Sequence, residues 1–138
     1  MINYRIYQYT SIARPPDPSE MAMRVIAYLL PVAAVLGAAL GWRAGLGGVG
    51  ALREAVLFVL ALYGCWALAR ELDPDDTPTA FVSAGIAMLA MALVAAPGVL
   101  IVYVTLGLVR MVNRSSGLRA RRSDSVVLTI VAIWLMYA

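Results

Sequence analysis

AFVSAGIAMLAMALVAAPGVLIVYVTLGLV, residues 80–109, runs for 30 residues without one charged side chain. As a single straight α-helix it would extend about 45 Å, against a bilayer hydrocarbon core about 30 Å thick. That excess demands a break, and Ala96-Pro97-Gly98 supplies it, because Pro97 lacks a backbone donor and Gly98 permits a turn. The stretch therefore reads either as one long kinked helix or as two short helices meeting at Pro97-Gly98, a choice that sets the architecture of the whole chain.

Working outward, Val25 to Trp42 and Ala55 to Ala69 are also free of charge. The chain is 62% hydrophobic and 14% charged, with mean hydropathy +0.82, whereas soluble domains run about half apolar and about a quarter charged. An aqueous fold of 138 residues has too little interior to hide that much apolar surface. The expected fold class is all-α: a polytopic transmembrane helical bundle of four to five membrane segments, with a Pro-Gly-broken hairpin as the fifth-segment alternative.

Residues 1–20 form an N-terminal segment in which Tyr4, Tyr7 and Tyr9 alternate with Ile2, Ile6, Arg5 and Arg14. Amphipathic rings and arginine stems settle at the headgroup level, so an interfacial segment is expected, a docking arm for a partner protein being the alternative. Residues 21–138 form the transmembrane domain, with segments at about 21–42, 52–69, 80–96, 98–112 and 125–138. Asp17, Pro18 and Glu20 are suited to start the first helix, and Pro31 inside it is tolerated in lipid as a kink. A cleaved signal peptide is disfavoured, since the basic residues lie far from the start and further spans follow.

Ala33, Gly37 and Gly41 put small residues on one helix face, where another backbone can approach. Packing within the chain is the favoured use of that face, and a homodimer contact the alternative. RAGLGGVGALRE (43–54) lacks the Gly-Lys-Ser/Thr ending of a phosphate-binding loop and is read as a flexible connection. Tyr63 and Trp66, three apart, are expected to pack against neighbouring helices. The last apolar stretch, 125–137, gives roughly 20 Å of helix, short for a crossing unless the bilayer thins or Arg122 snorkels.

All eleven basic residues are arginine, and the pI is about 9.4. They sit beside apolar segments, which fits anionic lipid headgroups and not a nucleic-acid partner. Arg110, Arg114, Arg119, Arg121 and Arg122 make the densest group, and the positive-inside rule places that loop, 110–124, in the cytoplasm. If 80–109 crosses once, seven arginines lie inside and four outside; if it folds back, nine lie inside against Arg43 and Arg53 outside. Folding back fits better, and it puts the N-terminus and the 70–79 loop in the cytoplasm. There Asp73, Asp75 and Asp76 are expected to pair with some of Arg114, Arg119, Arg121 and Arg122.

With no histidine and the single cysteine Cys65, the chain lacks the commonest general base, the commonest transition-metal ligand and any internal disulfide. Glu71, Asp73, Asp75 and Asp76 read as a solvated acidic turn leading into a helix begun by Thr77 and Pro78. Hard oxygen ligands of this kind are weak candidates for Mg²⁺ or Ca²⁺, though the glycine turn and closing glutamate of an EF-hand are missing. Asp73, Asp75 and Asp76 also spell the DxDD of class II terpene cyclases, enzymes several times longer than this chain, and the match is read as chance. No cofactor is expected.

The favoured function is a structural or accessory membrane subunit acting through helix contacts, as a homo-oligomer or within a larger membrane complex. The alternatives are a small transporter or channel component with a polar path along Ser83, Tyr103 and Thr105, and a membrane enzyme using the acidic loop with a divalent cation.

Overall fold

A computed structural model describes residues 20–73, 75–94, 98–113 and 122–137, without the side chains of 122, 123 and 135–137. Among the described residues there are five helices and no strand: α1 (Met21–Arg43), α2 (Gly47–Leu72), α3 (Thr77–Leu93), α4 (Val99–Asn113) and α5 (Arg122–Tyr137). The interfacial segment expected over 1–19, with the Asp17 and Pro18 cap, lies outside the described residues.

Small residues make α1 and α2 a close antiparallel pair. A Cβ added at Gly37 would stand 2.6 Å from the Glu54 backbone oxygen and 2.9 Å from Ala55 Cα, and one at Gly41 would stand 2.9 Å from Ala51 Cα. Ala33, Gly37 and Gly41 are all buried, so α2 occupies the face they form. α1 continues unbroken through Pro31.

The glycine-rich stretch departs from its reading as a loop. Only Ala44, Gly45 and Leu46 connect the two helices, with Gly45 and Gly47 at φ 73 and 69, and α2 is already helical from Gly47. Glycine weakens a helix by about 1 kcal/mol per residue in isolation. A Cβ added at Gly47 or Gly48 would meet nothing within 4 Å, and the close contact with α1 begins at Ala51, against Gly41.

The stretch 80–109 is two helices. α3 ends at Leu93, Val94 is extended, and α4 opens at Val99 after Gly98 with φ 85. Gly64 of α2 faces Val102 and Tyr103 of α4, and further along Glu71 of α2 meets Arg110 of α4. α4 thus runs parallel to α2 and returns to the end from which α3 departed, so the chain folds back. Both α3 and α4 lie against α2, yet no Cα of one comes within 8 Å of a Cα of the other. α5 contacts only α4 among the described helices, where Leu128 Cδ2 lies 2.8 Å from the position a Cβ would take at Gly107.

The core sits where α1, α2 and α3 meet. Ile26 from α1, Phe58, Leu62, Trp66 and Ala67 from α2, and Ala80 and Ala84 from α3 are buried there, joined by Leu106 from α4. Trp66 stacks obliquely on Tyr63 and Phe81, ring centroids 5.9 and 6.4 Å away, so both aromatics pack between helices. Much of the remaining apolar surface is uncovered, including Tyr28, Val32 and Val35 on α1, Val82 and Ile86 on α3, and Val126 and Ile130 on α5.

Two helices, α1 with 23 residues and α2 with 26, are long and apolar enough to cross a membrane. α3, α4 and α5 have 17, 15 and 16 residues, or roughly 23 to 26 Å of helix each.

Candidate functional site

Alternating helix direction gathers the charged residues by end. The start of α1, the end of α2, the start of α3 and the end of α4 share one end of the bundle, and Glu20, Arg70, Glu71, Thr77 and Arg110 meet there.

Arg70, on the last turn of α2, ties three helices. One terminal nitrogen pairs with Glu20, the N-cap residue of α1, and the other donates to Thr77 Oγ1 of α3 at 2.9 Å. One turn of sequence thus fixes where α1 and α3 begin relative to the end of α2, with a planar guanidinium whose two arms hold separate partners.

The second pair is deeper. Arg110 Nε donates to Glu71 Oε1 at 2.8 Å, with the Glu71 side chain 4% exposed and that of Arg110 14%. Asn113 Nδ2 donates to the Glu71 backbone oxygen at 3.4 Å, satisfying one of the carbonyls left open at a helix end. Because α2 and α4 run parallel here, their dipoles do not offset each other, and Arg70 and Arg110 near their C-termini stabilise both. Asp124, in the first turn of α5, is buried and placed favourably for the opposite reason.

The acidic loop serves the backbone. Asp73 Oδ1 accepts from the N–H groups of Asp75 and Asp76, each at 3.3 Å, and closes the turn. Asp76 caps α3, accepting from the Thr79 N–H at 3.1 Å and from its hydroxyl. The donated hydroxyl, and then the backbone N–H, hold the Asp76 carboxyl below its ordinary range. Glu71 faces Arg110, Asp73 and Asp76 accept from N–H groups of the turn and of α3, and among the described residues no group of three His, Cys, Asp or Glu side chains is placed to hold a metal ion.

Arg114, Arg119 and Arg121 lie outside the described residues, as does the side chain of Arg122, and with them the expected pairing to Asp73, Asp75 and Asp76. Among the described residues, ion pairs join Arg70 to Glu20 and Arg110 to Glu71. In the sequence these four sit at span ends far apart. The signal that unites them is the alternating helix direction, which puts the start of α1 and the ends of α2 and α4 on the same side.

The hydroxyls considered for a polar path do not share one. Ser83 donates to the Thr79 carbonyl and Thr105 to the Ile101 carbonyl, each within its own helix, while Tyr103 donates across to the Leu60 carbonyl of α2 at 3.0 Å. Such bonds back to the preceding turn satisfy a hydroxyl without water.

Comparison with protein-family models, curated proteins and solved structures finds no match to this chain. The geometry itself defines a class: an all-α protein, two of whose helices could cross a membrane, with its described ion pairs concentrated at one end.

Proposed function

We propose that this protein is a small multi-pass membrane protein of five membrane segments, acting without catalysis through helix contacts as a structural or accessory subunit. The observation that carries the reading is the apolar outer surface. Only five of the 23 residues of α1 are buried, although Val25 to Trp42 carries no charge. The core helix of a water-soluble protein would be enclosed; this one presents Tyr28, Val32 and Val35 outward, as lipid or a second protein in lipid requires. α5 offers the clearest contact face, since α4 covers one side of it and Val126, Ile130, Ile133 and Trp134 remain exposed.

The charged end lies in the cytoplasm in this reading, with the arginines that follow Arg110 facing anionic headgroups, and Arg43 and Arg53 are on the opposite side. The three short helices cross by local thinning of the bilayer or by snorkelling at their ends, at a modest cost per ångström of mismatch.

The test is cross-linking in native membranes. Single cysteines replace Val126, Val127, Ile130 and Ile133 in a Cys65→Ala background, and adducts to a second chain are expected at positions sharing one helix face. Absence of adducts at all four positions would remove the contact role, and complete release of the protein by alkaline extraction would remove the membrane reading.

A further inference from the structure

The end opposite the ion pairs carries two adjoining cavities of different character. One, about 670 Å³, opens between the α1–α2 turn and the last turn of α3, with Arg43, Arg53 and Glu54 in its lining. The other, about 350 Å³, is the gap between α3 and α4 over α2, lined by small and apolar residues that include Ala61, Ala87, Ala90 and Gly98. Met91 and Val94 belong to both, so the charged cleft and the apolar crevice meet at the end of α3.

Among the described residues neither Arg43 nor Arg53 makes an ion pair, in contrast to Arg70 and Arg110 at the other end. Glu54 is the one acid of the cleft, and its side chain lies down on α1, with Cγ 3.1 Å from the position a Cβ would take at Gly41. The cleft therefore keeps a net positive charge, in a form that binds phosphate oxygens through forked N–H donors. From Val94 back to Ala87 the crevice follows about 10 Å of α3 toward the middle of the bundle. A polar cationic mouth at the membrane surface, continued inward by an apolar slot, has the shape and polarity of one ligand class.

We propose that this end binds an anionic phospholipid, its phosphate at Arg43 and Arg53 and one acyl chain in the crevice between α3 and α4. The lipid would fill the gap that α3 and α4 leave between them. This site rests on the membrane reading, and the experiment separates the two.

The full chain is reconstituted in nanodiscs of equal phosphatidylglycerol and phosphatidylcholine, re-extracted in mild detergent, and the retained lipid is quantified by mass spectrometry. Wild type is expected to retain phosphatidylglycerol in preference to phosphatidylcholine. Arg43→Gln and Arg53→Gln should each cut that preference, by about five-fold, and both residues are exposed, so the fold is spared. Ala90→Phe, which fills the crevice from an exposed position, should lower retention of both lipids and leave the headgroup preference unchanged. An unaltered preference in both arginine variants, or unaltered retention in Ala90→Phe, overturns the site. A chain that does not enter the discs at all overturns the membrane reading first.

Discussion

Replacing Arg110 by methionine strands the Glu71 carboxylate. That side chain is 4% exposed, and its single partner among the described residues is Arg110 Nε at 2.8 Å. Exposed ion pairs are worth at most about 1 kcal/mol, but breaking a buried pair from one side costs about 3–5 kcal/mol, because the remaining charge keeps its desolvation penalty. Methionine preserves the length and apolar stem of the arginine, so the loss reports the charge. Arg110→Met is therefore expected to destabilise the fold by about 3–5 kcal/mol, and Glu71→Met/Arg110→Met to recover most of it, since no charge is then left buried. Arg110 takes part in a further interaction, and the comparison cancels it, as both variants lack it. The assay is equilibrium unfolding of purified protein in mixed micelles by added dodecyl sulfate, followed by helix circular dichroism. A single variant within about 1 kcal/mol of wild type, or a double variant as unstable as the single, would refute the argument that burial governs this pair.

Two glycines, one at the α1–α2 contact and one exposed on α3, carry predictions of opposite sign. Gly37→Ala should cost about 1–3 kcal/mol in the same unfolding assay, because the new Cβ meets backbone 2.6 Å away and the helices must part. Gly85→Ala, exposed in α3 with nothing within 4 Å of the new methyl, should instead stabilise by about 1 kcal/mol through helix propensity. At the start of α3, Asp76→Ala should loosen the first turn, and Asp76→Asn should retain the cap. The folded Asp76 carboxyl titrates below its ordinary value of 3.8. Its contribution is therefore fully present above that value and lost as the pH falls through the lower folded one. The advantage of wild type over Asp76→Asn should be constant above 3.8 and shrink as the pH falls below it; an advantage independent of pH would show that the cap does not act through its charge.

The helices could be read from the chain because their cause is local. Unbroken apolar runs mark the helical segments whatever their neighbours are, with Pro97-Gly98 leaving four or five of them, and Ala33, Gly37 and Gly41 mark a face for close approach through nothing more than size. Pairing is a different matter. The glycines after Gly45 read as loop but are helix from Gly47 onward, while Asp73 and Asp76 close their own turn and cap α3, in keeping with the reading of a solvated acidic turn that leads into a helix. Glu71 and Arg110 are 39 residues apart, and whether either is buried depends on where α4 lands on α2. Hydropathy and turn chemistry act over a few residues and are written in order along the chain, whereas burial, ion pairing and the gap between α3 and α4 arise from surfaces brought together across it.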